Sequence, residues 1–395
     1  MIDVTSQEVL VSEKGVRRLE SGHPWVFASD LRVLKKAATT GPGLAAVFNT
    51  RGERLGEGFY NPHSKLALRL VTYGDAPVTP ELIAERIRQA AAYRERAAAG
   101  FEAFRVVHSE ADGLPGLTVD KYGDVLVLQQ HAAALELYTE IITDTLTAVY
   151  APQGILARND GALRKLEALP QEVTVLAGSV PETVPFTEGD VTLAAAPYTG
   201  QKTGAFLDQR ENHVYAGRLA YGRALDVFSY HGGFALQVAR HADETTAVDS
   251  SAPALAQLEK SAADNALSLK TVRGDAFAVL RGLVADEERF DTVVLDPPAF
   301  AKGRAQVTAA LTGYRDLNLH ALKLLTVGGR LFTTSCSHFI SEAVFLEMLT
   351  GAAQDAGRTV RVLAKRGAAP CHPEVLGLPE TRYLTFVSLE VVRCY

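Results

Sequence analysis

Cysteine, methionine and tryptophan are scarce in this 395-residue chain, at three, two and one. Cys336, Cys371 and Cys394 are too few and too scattered for a disulfide framework or a zinc site, so reduced thiols and no metal centre are expected. No apolar run reaches the roughly 18 residues of a membrane span, and no membrane partner is expected. The opening Met1-Ile2-Asp3-Val4-Thr5 lacks a basic-then-apolar export pattern, which makes a cytoplasmic protein the expectation. Excess positive charge is absent too. The formal charge of −6 argues against non-specific binding to nucleic acid, though not against a local basic patch.

Several nucleotide and hydrolase signatures are likewise missing. There is no G-x-x-x-x-G-K-[ST] string, which argues against ATP hydrolysis. His231-Gly232-Gly233 is similar to an esterase oxyanion loop, yet the chain has no G-x-S-x-G elbow. Gly41-Pro42-Gly43-Leu44-Ala45-Ala46 spells G-x-G-x-x-A, but it precedes a strand with no helix to follow and reads as punctuation.

What is present is a globular composition, 47% hydrophobic and 22% charged, long enough for two or three domains. Residues 1–75 read as a small β-rich domain, with short alternating segments at Glu8–Val11, Leu44–Asn49 and Leu66–Thr72 between Gly and Pro turns. They carry ten Lys and Arg against eight Asp and Glu, with Lys14, Arg17, Arg18, Arg32, Lys35 and Lys36 clustered. Such a cluster suits phosphate contact and a solvated mixed-charge face about equally. Residues 76–190 read as a middle α+β unit. Thr79-Pro80 opens a helix to about Ala99, Thr79 as N-cap and Pro80 at the first helical position. Its Arg86, Arg88, Arg94 and Arg96 suggest a solvent-facing connector.

Residues 191–395 alternate strands and helices, the pattern of a doubly wound parallel sheet. Strands are expected at Ala224–Phe228, Thr245–Asp249, Lys270–Gly274, Thr292–Leu295 and Arg330–Thr334. Two more, near Thr359–Lys365 and Tyr383–Val392, are joined by a loop and are expected to form an antiparallel hairpin closing one edge. Open α/β sheets bind ligands at the carboxyl ends of their strands, and here each end carries something useful. The first ends in Asp226-Val227-Phe228-Ser229-Tyr230-His231-Gly232-Gly233, whose glycines let backbone approach a ligand while the following helix offers free N–H groups. The second ends in Asp249-Ser250, an acid placed to accept a ribose diol. The third ends in Asp275-Ala276-Phe277, where the acid could take an adenine amino proton. Asp296 makes a fourth acid. An adenosine ligand accounts best for the set. NAD suits the ribose acid as well, but the incomplete glycine fingerprint counts against it.

Two strings bear on chemistry. Asp296-Pro297-Pro298-Ala299-Phe300 is an acidic, proline-stiffened loop suited to gripping a flat nitrogenous ring. Thr334-Ser335-Cys336-Ser337 puts a lone cysteine between hydroxyl residues just after a strand. Together they suggest attack on a nucleobase by a thiolate. A buried cysteine is more often an inert hydrophobe, and that reading suits Cys371 and Cys394.

With these residues in view, the chain resembles the PUA-containing ribosomal RNA (cytosine-5) methyltransferases, which use S-adenosylmethionine (SAM). Gly22-His23-Pro24-Trp25-Val26-Phe27 and Gly56-Glu57-Gly58-Phe59-Tyr60-Asn61 are similar to that family's amino-terminal PUA domain, an RNA-binding barrel. His108-Ser109-Glu110-Ala111-Asp112-Gly113-Leu114-Pro115-Gly116-Leu117 is similar to its middle domain. The string from Gly200-Gln201-Lys202-Thr203 through Gly204-Ala205-Phe206-Leu207-Asp208-Gln209-Arg210 is similar to the segment before its Rossmann-like sheet. The resemblance implies that Gln201, Phe206, Gln209 and Arg210 flank SAM, with Asp249 on its ribose and Asp275 on its adenine. It implies that Cys336 adds to carbon 6 of a cytosine while Asp296 stabilises charge at nitrogen 3. Pro297, Pro298 and Phe300 would hold the extruded base, Phe300 by stacking. The partner implied is structured RNA, 23S ribosomal RNA or an assembly particle, and a homodimer is compatible with it. Two departures stand out: His213 occupies a position where the family usually has arginine, and no second cysteine lies in the acidic loop, as in the family itself.

Two other readings compete. Acid-Pro-Pro-aromatic loops also serve methylation of a ring nitrogen or an exocyclic amine, which needs no thiol. An RNA-binding assembly factor with an inactive methyltransferase-like domain is the third, and intact acids at four strand ends count against it.

Overall fold

The computed structural model describes residues 7–35, 41–301 and 303–395. Lys36, in the basic cluster, lies outside the described residues. Two compact bodies emerge. The first comprises Met1–Val184, Ala195–Ala205 and Pro370–Thr381; the second comprises Pro185–Ala194, Phe206–Ala369 and Arg382–Tyr395. No described helix is long and apolar enough to cross a membrane.

The first body holds two sheets. One has six strands in the order Trp25–Val26, Leu68–Tyr73, Arg54–Tyr60, Gly43–Phe48, Gln7–Val11, Leu31–Lys35. Arg54–Tyr60 is a strand beyond the three segments expected from the sequence, although it carries two glycines. They are there for close approach: a Cβ on Gly56 would lie 2.0 Å from the Thr72 carbonyl oxygen, and one on Gly58 2.3 Å from that of Arg69. Of the basic cluster, Lys14 and Arg18 both face the buried Asp30. The second sheet runs Glu172–Gly178, Gly154–Asn159, Val125–Gln130, Leu117–Tyr122, Ala103–His108.

The helix Pro80–Ala97 is capped by Thr79, whose side chain accepts from the Leu82 N–H. It is not the solvent-facing connector its arginines suggest. Ile83, Ile87 and Ala90 enter one core with Leu44, Phe59 and Val71 of the six-stranded sheet and Val106, Val119 and Leu128 of the five-stranded one. That shared core explains why both sheets fall in one body. Arg88 and Arg96 are exposed. Arg94, only 1% exposed, is fixed by Asp112 at 2.6 and 2.8 Å and by the carbonyls of Arg105 and Cys371. Asp112 also accepts from the His108 N–H, so the His108–Leu117 string is a structural lock around this pair. Removing one partner of a buried ion pair strands the other without compensation. Arg94→Met should therefore destabilise the first body by about 3–5 kcal/mol, read as a lowered urea midpoint.

Ala195–Ala205 is also tied into the first body. Thr203 donates to Asp120 at 2.5 Å and shares a hydrogen bond with the Tyr122 hydroxyl, while Arg158 donates to the carbonyls of Pro197 and Gly200. Asp120 is held in turn by a two-pronged contact from Arg105.

In the second body seven strands form one sheet: β1 (Arg223–Val227), β2 (Glu244–Asp249), β3 (Lys270–Arg273), β4 (Phe290–Leu295), β5 (Leu325–Ser335), β6 (Arg358–Arg366) and β7 (Thr385–Cys394). Their order is β3-β2-β1-β4-β5-β7-β6. The first five are parallel, and β7 runs antiparallel to both β5 and β6, the edge hairpin expected from the sequence. Strand order reverses between β1 and β4, the switch point where such sheets open a ligand crevice. Helices Val307–Leu324 and Glu342–Asp355 bury Tyr314, Leu317, Phe345 and Leu349 against one face.

Candidate active site

Register builds the site. Val227 pairs with Val248 on one side and Leu295 on the other, and Leu295 pairs with Thr333. The next residue on each strand, Phe228, Asp249, Asp296 and Thr334, therefore falls on one row at the carboxyl edge of the sheet. Of the acids expected at the strand ends, Asp249 and Asp296 share this row because the strands are parallel and in step, while Asp226 lies two residues back on β1 and Asp275 two residues past Arg273 on β3.

The turn after β1 is strained. Phe228 (φ 68°) and Tyr230 (φ 45°) adopt left-handed backbone without being glycine, and Gly232 follows at φ 95°. Each such non-glycine residue costs on the order of 1–3 kcal/mol, and such strain gathers at ligand sites. Gly232 has a packing reason as well, since a Cβ there would come within 2.2 Å of Leu258. Asp249 grips the turn: Oδ2 accepts from the Tyr230 N–H at 2.9 Å and Oδ1 from the Ser251 N–H at 2.8 Å. Phe206 meets Tyr230 edge-on at 5.3 Å, which brings the string before the sheet to this turn. Gln201, by contrast, is an exposed residue of the first body.

Asp226 and Ser229 are buried under the turn, and neither Asp226 oxygen nor the Ser229 hydroxyl has a well-formed hydrogen bond. Burial first, and the charge of Asp296 second, push the Asp226 carboxyl up to about 8, with His213 pulling the other way. The folded chain thus holds this proton more tightly than the unfolded one. The stability it contributes is complete below pH about 4, the unfolded carboxylate range, and is lost as pH rises towards 8. Asp226→Asn removes the titration. Without ligand it should match the parent near pH 4 and exceed it by about 1–3 kcal/mol at pH 8, measured by melting across that range.

Asp275 is exposed and serves as N-cap of helix Ala276–Ala285, accepting from the Ala278 N–H at 2.9 Å. Ala276 is buried behind it, and Ser250 is exposed on the loop after β2. Arg210 is wholly buried at the start of helix Arg210–Leu219 and pairs with Glu211 at 2.9 Å. Gln209, just before it, donates to Asp296 Oδ1 at 2.9 Å, and Asn212 fixes Gln209 by donating to its Oε1 at 2.7 Å.

Asp296 also accepts from the Thr334 hydroxyl across the β4–β5 pair, a partner the sequence string contained but did not advertise. Pro297 turns its carbonyl towards Cys336, whose Sγ lies 3.6 Å away. Cys336 is half-buried, and its neighbours Ser335 and Ser337 are buried. Ser337 Oγ holds the loop by accepting from the Ala301 N–H and meeting the Tyr314 hydroxyl at 3.0 Å. Pro298 is exposed. The Phe300 ring packs on Tyr314 at 4.8 Å and Phe277 at 6.2 Å, so packing already accounts for it. Cys371 is buried with its sulfur 3.2 Å from His372 Nδ1, and Cys394 is exposed. Among the described residues no group of three or more His, Cys, Asp or Glu could hold a metal ion.

Known proteins share this arrangement of sequence. A family model described as a PUA-like domain matches residues 9–73, and one described as conserved hypothetical protein 95 matches residues 208–325. Ribosomal RNA large subunit methyltransferase I of Tolumonas auensis is 35% identical over 389 residues, covering 96% of this chain and 98% of its own; that of Klebsiella pneumoniae is 33% identical over 401 residues, covering 99% and 100%. The chain belongs to the ribosomal RNA large subunit methyltransferase I family. A solved Streptococcus mutans structure assigned as a SAM-dependent methyltransferase has the same fold, with a TM-score of 0.81 at 18% identity, covering 97% of this chain and 100% of that one. A structure of a methyltransferase complexed with SAH aligns equally well, at a TM-score of 0.81 and 18% identity with the same coverage. Both relatives align over at least 96% of this chain, which itself matches the PUA-like model at residues 9–73 and the second model at residues 208–325.

Proposed function

We propose that the protein transfers a methyl group from SAM to carbon 5 of a cytosine in 23S ribosomal RNA, with Cys336 as nucleophile. The observation that carries this reading is the placement of Cys336 Sγ 3.6 Å from the Pro297 carbonyl, beside the Asp296 carboxyl that Thr334 and Gln209 hold. The residues of the turn fit the donor. Asp226 and Ser229 offer buried polar atoms with hydrogen-bonding capacity to spare, and each Asp249 oxygen that accepts one backbone N–H retains capacity for a ribose hydroxyl. Asp275 stands at the next strand end, with Phe206, Phe228, Tyr230 and Ala276 providing apolar surface. SAM, when bound, supplies an electrophilic methyl on a sulfonium.

The chain's own residues then do the following. The Cys336 thiolate adds to carbon 6, and the ring's electron pair is driven to carbon 5, which carbon alone would not supply in an intact aromatic ring. Asp296 acts as an acid, passing a proton to nitrogen 3 as the electron pair accumulates there, so that the adduct carries no net charge on the ring. After methylation, loss of the carbon 5 proton to a base expels the thiolate and restores the ring. Pro297 and Pro298 keep the loop extended, and the target base must be extruded from any helix to reach it. In this proposal residues 1–75 bind RNA, residues 76–190 connect, and residues 191–395 carry the chemistry. The test is mass mapping of ribosomal RNA nucleosides from cells lacking the protein. Loss of one 5-methylcytosine in 23S RNA, restored by the intact gene, supports the proposal; loss of an N-methylated base instead favours amine chemistry.

A further inference from the structure

Below the glycine turn lies a buried pair that the chemistry above does not use. Glu188 is 2% exposed and His213, on helix Arg210–Leu219, is 4% exposed. Glu188 Oε1 and His213 Nδ1 are 2.7 Å apart. Their surroundings fix both. Gln237 donates to the Glu188 carbonyl, and the His213 ring meets Phe234 edge-on at 4.5 Å. The ring also fills the space beside Gly233, where a Cβ would come within 2.5 Å of its Cε1. The imidazole is thus the floor of the turn that carries Gly232 and Gly233.

Its charge matters as much as its shape. Burial pulls the His213 pKa down, but Glu188 more than reverses this, with Asp296 and Asp226 acting in the same direction, so the net shift is upward. The imidazolium in turn favours ionisation of Asp226, against burial and against Asp296 and Asp249. We propose that His213, held by Glu188, is a positioning residue for donor binding: its ring braces the Gly232-Gly233 turn, and its imidazolium supports the Asp226 carboxyl as a partner for a cationic donor. This rests on the proposed function, since it presumes that the turn receives SAM.

A tie that served folding alone would lower stability when broken and leave donor affinity unchanged in the folded variant. His213→Gln by itself leaves the Glu188 charge buried and unpaired, which costs stability. The decisive variant is therefore His213→Gln with Glu188→Gln, a pair of amides that keeps a hydrogen bond without either charge. SAM affinity by calorimetry, the KM for SAM, and kcat at saturating SAM are measured beside the melting temperature. The expected result is a rise of about tenfold in Kd and KM, the equivalent of one pH unit of lost charge interaction, with kcat reduced less than about threefold. Adding Asp226→Asn should make the losses less than additive, because both changes act on one carboxyl. Should the double variant fail to fold, Glu188→Gln alone is read the same way. Parental SAM affinity in the folded variant overturns the inference. If the parent chain binds no SAM, the proposed function fails, and this inference with it.

Discussion

Cys336→Ala should abolish methylation, lowering turnover by roughly four orders of magnitude or more, while SAM affinity stays within about twofold of the parent. The split follows from where the sulfur sits. Cys336 comes after β5 and faces the Pro297 carbonyl, whereas the residues assigned to the donor come from the ends of β1, β2 and β3. The substitution removes one sulfur from a half-buried position, so a large loss of fold is not expected. Activity assays and calorimetry on the same preparation separate the two outcomes. Near-parental methylation by Cys336→Ala would show that the acceptor is not activated by a thiolate and would favour transfer to an amine or ring nitrogen.

Asp296→Asn is expected to cost about 10²–10³ in kcat. Its geometry can survive the change, since the Gln209 amide and the Thr334 hydroxyl both donate to Asp296 Oδ1, and the asparagine carbonyl oxygen can accept in its place. What disappears is the proton that a carboxylic acid can pass to nitrogen 3 and an amide cannot. A second consequence is independent of catalysis. Asp296 is the largest cause, after burial, of the raised Asp226 pKa. In Asp296→Asn the loss of stability between pH 4 and 8 should become shallower, visible by melting without substrate or donor. A drop in kcat with an unchanged stability profile would mean that the two carboxyls do not sense each other.

Much of the α/β body was legible in the sequence because a parallel sheet writes itself plainly. Its strands are apolar and β-branched, each is followed by a helix, and ligand-facing residues come at the strand ends. Asp226, Asp249 and Asp296 could be placed on one edge for that reason, and the long loop before Tyr383 foretold the antiparallel β7. What could not be read depends on partners distant in sequence. Arg94 reads as a surface residue until Asp112 and the Cys371 carbonyl close around it. Gly56 and Gly58 look like turn residues, and only the neighbouring strand reveals why a side chain cannot fit. Glu188 carries no local signal at all, and its meaning comes from His213. Asp275 illustrates an ambiguity: an acid just before the apolar Ala276–Leu280 stretch is also a good helix cap, and the cap is what the structure displays.

The central claim is a covalent bond between Cys336 and carbon 6 of the target cytosine. RNA carrying 5-fluorocytidine at the target tests it directly, because fluorine cannot leave as a proton does and the adduct cannot resolve. With SAM present, the intact protein should form an RNA complex that survives denaturing electrophoresis, and peptide mass mapping should place the link on Cys336. Methylation of unmodified RNA by the same preparation, with no such complex on the fluorinated RNA, would contradict the account.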